Sequence, residues 1–161
     1  MVPQEPLFLY SQIWYIWDIK IKRKNMHRVS TVIKCIDFRQ NGFFKDWLKE
    51  NNWQESDIIS VAGSVKELAN GKQDVKDWIM NTIRISHDIH GSREVILTSH
   101  STCGAYAIED EEEEKRVQLE DMAKAEAMIK EKFPDMEVKK YWLKLIGTHE
   151  KTDNVVFSEI N

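Results

Sequence analysis

Apolar positions along this chain follow two different spacings, and the two alternate. The β-branched run Ser30–Ile36 (Ser-Thr-Val-Ile-Lys-Cys-Ile) reads as a strand. Gly42–Asn51 reads as a short helix with Phe43, Trp47 and Leu48 on its apolar side. Asp57–Ala62 reads as a second strand, closed by Gly63. From Asp74 to His90 the residues Val75, Trp78, Ile79, Thr82, Ile83 and Ile89 recur at helical spacing, and Gly91 supplies a stop. Glu94–Thr98 is a third strand. A short helix is expected after Cys103. A long one is expected over Lys115–Phe133, with Leu119, Met122, Ala125, Ile129 and Phe133 on one side and Pro134 ending it. Two more strands, Glu137–Ile146 and Val155–Ile160, flank a polar loop that suggests a hairpin.

Strands separated by helices predict an α/β fold, a mainly parallel β-sheet flanked by helices, because parallel neighbours need crossover connections. A C-terminal antiparallel hairpin would complete it. Such sheets bind ligands beyond the carboxyl ends of their strands, where strand order reverses. The start of the chain has a different texture. Leu7–Trp17 is almost wholly apolar and aromatic, and Lys20, Lys22, Arg23 and Lys24 follow. That run is too short to span a bilayer, which takes about 20 residues. Three readings of residues 1–25 stay open: an arm packing on a partner subunit, a segment lying on a membrane surface, or upstream sequence before a start at Met26. The domain itself is expected over residues 26–161.

Composition narrows the function. A chain of 161 residues suits one domain with a core of its own. A net charge of −4 offers no basic surplus for nucleic acid. The only cysteines are Cys35 and Cys103. The basic–apolar–small order of a secretory leader is missing, so the expectation is a cytoplasmic protein with reduced thiols. Thiols there serve metals or catalysis more often than disulfides.

Cys35 falls near the carboxyl end of the first strand, and His100 and Cys103 follow that of the third. Both groups are therefore expected at one edge of the sheet. Two thiolates and an imidazole suit Zn²⁺, and three protein ligands leave a fourth position for water. In Cys35-Ile-Asp37-Phe-Arg39, an extended backbone would put alternate residues on one side. Arg39 could then grip the Asp37 carboxylate through two hydrogen bonds and keep it ionised beside the metal.

These motifs resemble those of the β-carbonic anhydrases. The signature Cys-x-Asp-x-Arg is matched by Cys35, Asp37 and Arg39, and His-x-x-Cys-Gly by His100, Cys103 and Gly104. Ala62-Gly63 falls where that family turns out of a strand, and the helix and apolar strand that follow are in order. The resemblance covers the chain from about Met26 to the hairpin. It implies Cys35, His100 and Cys103 as zinc ligands, Asp37 and Arg39 as a catalytic pair, and Ala62, Gly63 and Gly104 as pocket wall. It also implies the reaction, reversible hydration of CO₂ to bicarbonate through zinc-bound hydroxide, with a homodimer or larger homo-oligomer as the assembly and pocket residues crossing its interface. In that family Asp37 can also swing onto the zinc as a fourth ligand. Two thiolates would acidify zinc-bound water less than an all-histidine site, where the pKa falls to about 7.

Two positions depart from the family pattern. Phe38 stands where Ser is usual, and Ser60-Val61-Ala62-Gly63-Ser64 where Arg-Asn-Ala-Gly-Asn is usual. The alternatives are a zinc-binding relative without catalysis, a hydrolase of carbonyl sulfide or carbon disulfide on the same scaffold, and a metal-free thiol redox protein using the two cysteines. Elsewhere the plainer interpretation leads. His87 and His90 are helix-end residues beside Gly91, His27 and His149 are solvated, and Glu109–Glu114 is a solvated loop or helix start. Trp47, Trp53, Trp78 and Trp142 belong to core or interface.

Overall fold

The computed structural model describes residues 29–161. The N-terminal segment 1–25 and the proposed start at Met26 lie outside the described residues. Five strands form one sheet: β1 (Ser30–Lys34), β2 (Ser56–Ser60), β3 (Glu94–His100), β4 (Glu137–Gly147) and β5 (Thr152–Ile160), in the order β2-β1-β3-β4-β5. The first four run parallel, and β5 returns antiparallel to β4 as a hairpin. This is the mainly parallel α/β sheet that the alternating pattern implies.

Burial follows position in the sheet. Every residue of β1 and β3 is buried, as expected for central parallel strands covered on both faces. Edge strand β2 buries only Ile59 fully. Successive residues point to opposite faces. Ile33 and Leu97 face a layer built by α2 (Val65–Asn70), α3 (Gln73–Ile85) and α4 (Glu111–Lys132), packing with Leu68, Ile79, Ile83, Met122 and Ile129. Val32 and Ile96 face α1 (Asn41–Glu50) and its aromatic cluster of Phe44, Trp47, Trp53 and Tyr141. Trp47 stacks on Phe157 of the hairpin at 4.5 Å.

Several boundaries move for local physical reasons. The helix expected over Asp74–His90 is α3 followed by a π-helical turn at Ser86–His90, and it ends on Gly91 in the left-handed conformation (φ +78°). The long C-terminal helix starts at Glu111, not Lys115. Asp110 caps it by accepting a hydrogen bond from the Glu113 amide, and four glutamates in the first turn complement the helix dipole. The short helix expected after Cys103 does not form. Thr102 and Ala107 take positive φ values of 57° and 53°, which a helix does not accommodate. The helix α2 had no counterpart in the hydrophobic pattern because it is only six residues long. Trp47, Trp53 and Trp142 are buried, whereas Trp78 is exposed. No described helix is long and apolar enough to cross a membrane.

Candidate metal centre

Strand register brings the three expected ligands to one place. Ile33 of β1 pairs with Leu97 of β3, so Cys35, just past β1, and His100, the last residue of β3, arrive at similar heights on the carboxyl edge. Strand order reverses here, since β1 is flanked by β2 on one side and β3 on the other. Cys103 returns from the loop after β3. The Sγ atoms of Cys35 and Cys103 are 3.9 Å apart and unbridged. The two sulfurs and a His100 ring nitrogen lie within 4.8 Å of one another, and all three residues are buried.

The tautomer of His100 follows from its neighbours. Nδ1 lies 2.9 Å from the Ser101 carbonyl, which can only accept, so Nδ1 carries the proton. Nε2 then presents a lone pair. It is buried without a hydrogen-bond partner among the described residues. An orphaned buried acceptor costs about 1–3 kcal/mol unless something engages it. A divalent cation between Nε2 and the two sulfurs is the group this donor set fits.

The thiols behave as one coupled pair. Hydrogen bonding from Cys103 pulls the Cys35 thiol well below its ordinary value, against the opposing effect of burial. The same hydrogen bond, with burial, pushes Cys103 up. One proton therefore leaves easily and the second is retained. A cation, which requires both as thiolates, would displace it.

Asp37 and Arg39 meet beside this cluster by a route other than an extended strand. The strand ends at Lys34, and Asp37 caps a short 3₁₀ turn at Phe38–Gln40 by accepting the Arg39 amide at 3.0 Å. Arg39 Nε donates to Asp37 Oδ1 at 3.0 Å and its Nη2 to Oδ2 at 2.6 Å, which is a two-pronged grip. Burial alone would raise the Asp37 pKa, but the Arg39 hydrogen bonds outweigh it and hold the carboxyl below its ordinary value. Asp37 Oδ2 lies 3.8 Å from His100 Nε2.

The mouth of the site is a cavity of about 390 Å³ lined by Ile36, Asp37, Phe38, Arg39, Thr102, Gly104 and His149. Ile36 and Phe38 are exposed on its rim. Gly63 is buried in the turn after β2, where a Cβ would come within 3.0 Å of the Ala105 side chain, while Ala62 beside it is exposed. A larger cavity of about 610 Å³ lies between α1 and β2, lined by Lys34, Lys45 and Lys49 among others, but it holds no comparable set of metal donors. His87 and His90 pair instead with Asp135 and Asp57 at the opposite end of the sheet.

Residues outside both motifs hold the ligand loop. Glu114, 1% exposed, accepts the amides of Thr102 and Cys103, each at 2.7 Å. Gln118 donates to the His100 carbonyl at 2.9 Å and accepts from the Trp142 indole. Asp121 accepts from the Tyr106 hydroxyl at 3.1 Å. Glu114 is therefore not part of the solvated stretch expected over Glu109–Glu114. One signal was available: the buried stripe Ile129–Ala125–Met122, continued backward in steps of four, reaches Gln118 and Glu114.

Comparison with known proteins adds the family. A family model described as "Putative carbonic anhydrase" matches residues 25–153. An uncharacterized protein of Rickettsia bellii is 31% identical over 140 residues, spanning 80% of this chain and 84% of that protein. Another, from Rickettsia conorii, is 29% identical over 140 residues, spanning 80% and 74%. Among solved structures, a carbonic anhydrase from Glaciozyma antarctica aligns with a TM-score of 0.46 at 17% identity, over 89% of this chain and 94% of that one. A tetrameric β-carbonic anhydrase from Sordaria macrospora aligns at 0.48 and 13% identity, over 87% and 93%.

Proposed function

Because this chain belongs to the carbonic anhydrase family whose model it matches, we propose that it is a zinc-dependent hydratase converting CO₂ and water reversibly to bicarbonate and a proton. The observation that carries this reading is the partnerless Nε2 of buried His100, facing two sulfurs 3.9 Å apart with an ionised carboxylate 3.8 Å away. Cys35, His100 and Cys103 would hold the ion. When bound, zinc supplies a Lewis acid that acidifies water.

The remaining steps belong to the chain itself. Arg39 keeps Asp37 ionised and fixes the direction of its oxygens. Asp37 accepts a hydrogen bond from the attacking water and so orients the oxygen lone pair toward the substrate carbon. The new C–O bond forms as a C=O π pair moves onto the second oxygen, and the released proton passes to solvent. Ile36 and Phe38 give the cavity an apolar rim suited to a small uncharged substrate. The same exposed rim supports a homo-oligomer in which another copy covers the mouth.

Stopped-flow CO₂ hydration, run across pH on protein of known zinc content, tests the proposal. Stoichiometric zinc with no hydration up to pH about 9, where even aqueous Zn²⁺ ionises its water, would sink it. Asp37→Asn is expected to keep its zinc and lose about 10²–10⁴-fold in rate. An Asp37→Asn variant as fast as wild type would remove Asp37 from the mechanism.

A further inference from the structure

The peptide unit joining Thr102 to Cys103 sits between opposite charges. On one side its N–H, that of Cys103, donates to Glu114 Oε1 at 2.7 Å. On the other its carbonyl, that of Thr102, accepts from Arg39 Nη2 at 2.9 Å. The second Glu114 oxygen accepts the preceding amide, that of Thr102, also at 2.7 Å. Two successive amides converging on one anion form a backbone cradle, and the left-handed conformation of Thr102 (φ +57°) is what aims them together. The anion filling it is a side chain from α4, 1% exposed, with both oxygens engaged.

We propose that Glu114 is a positioning residue of the metal centre, fixing the Cys103 sulfur and, through Thr102, the Arg39–Asp37 pair. This rests on the metal-centre reading above. The chain of contacts is continuous. Glu114 holds the Thr102–Cys103 peptide, that peptide and the Thr102 hydroxyl hold Arg39, and Arg39 holds Asp37. One helical turn along, Gln118 holds the His100 carbonyl, so α4 grips the loop at both of its ligands. Without the carboxylate, the two inward-facing amides would have no acceptor and the left-handed Thr102 would keep only its bonds to Arg39, so the loop would relax toward ordinary backbone.

Glutamine tests the carboxylate rather than the volume. Glu114→Gln keeps the shape but turns one acceptor into a donor facing a donor. Zinc affinity, read by competition with a chromogenic chelator at neutral pH, is expected to fall about 10–100-fold, the usual effect of losing a group that orients a metal ligand. The cobalt-substituted protein should show a shifted thiolate-to-metal absorption band. Arg116→Ala, which removes exposed ion pairs from the same helix without touching the loop, should bind zinc as wild type does. On wild-type protein, which depends on no variant folding, the Thr102 and Cys103 amides should resist hydrogen exchange, although Thr102 itself is exposed.

An affinity for Glu114→Gln within about threefold of wild type, against the larger loss expected for an orienting group, overturns the assignment. So does an equal loss in Arg116→Ala, or exchange of the two amides at open-loop rates. A wild-type chain that binds no zinc overturns the metal-centre reading itself, and this assignment with it.

Discussion

At the scale of single residues, chemical type makes the candidate ligands visible, whereas burial hides the residues that support them. Two cysteines in the whole chain, one of them three residues from a histidine, stand out by scarcity. Glu114 did not, because it ends a run of acidic residues and looks solvated until the helix start is known. The two classes of residue also differ in what their loss does. Cys103→Ser replaces a thiolate with a hydroxyl that does not ionise at neutral pH and is a poor zinc ligand. Metal analysis after dialysis is expected to find that variant without zinc. Retention of one equivalent would mean that Cys103 is not a ligand.

Elements were legible in proportion to their length and periodicity. The helix α3 could be read from its spacing, and the structure buries Ile79 and Ile83 on that stripe completely. Ile83→Ala should therefore destabilise the fold by about 2–5 kcal/mol in urea unfolding, the range for a fully buried aliphatic side chain. A loss well under 1 kcal/mol would contradict the packing described. The composition of the segment after Cys103 permits a helix, but the structure has none there. Its backbone closes only one turn, with the Tyr106 and Ala107 amides on the Cys103 carbonyl, and is otherwise committed to distant side chains: the Thr102 and Cys103 amides to Glu114, and the Ala105 carbonyl to Lys66. Propensity is local, and those partners lie 11 to 39 residues away in sequence.

For the molecule as a whole, the charge balance at the carboxyl edge sets a pH dependence. The folded pKa of Asp37 lies below its ordinary value of about 3.9. Ionised Asp37 therefore adds stability above that value, and the contribution is lost as the pH falls through the lower folded pKa. With metal chelated, the stability gap between wild type and Asp37→Asn should be present at neutral pH and narrow in strong acid. Urea titrations at both pH values check this, and a gap independent of pH would count against the ion pair with Arg39. By itself, the sequence determined the alternation of strands and helices, the parallel sheet that alternation requires, and the kinds of donor available, because periodicity and residue chemistry are local properties. Only the tertiary structure decided that β1 and β3 lie side by side in a register bringing Cys35 level with His100, that the His100 lone pair faces the two sulfurs, and that Glu114 is buried under the Cys103 loop. Those are distances between segments remote in the chain, set by packing rather than by any local spacing.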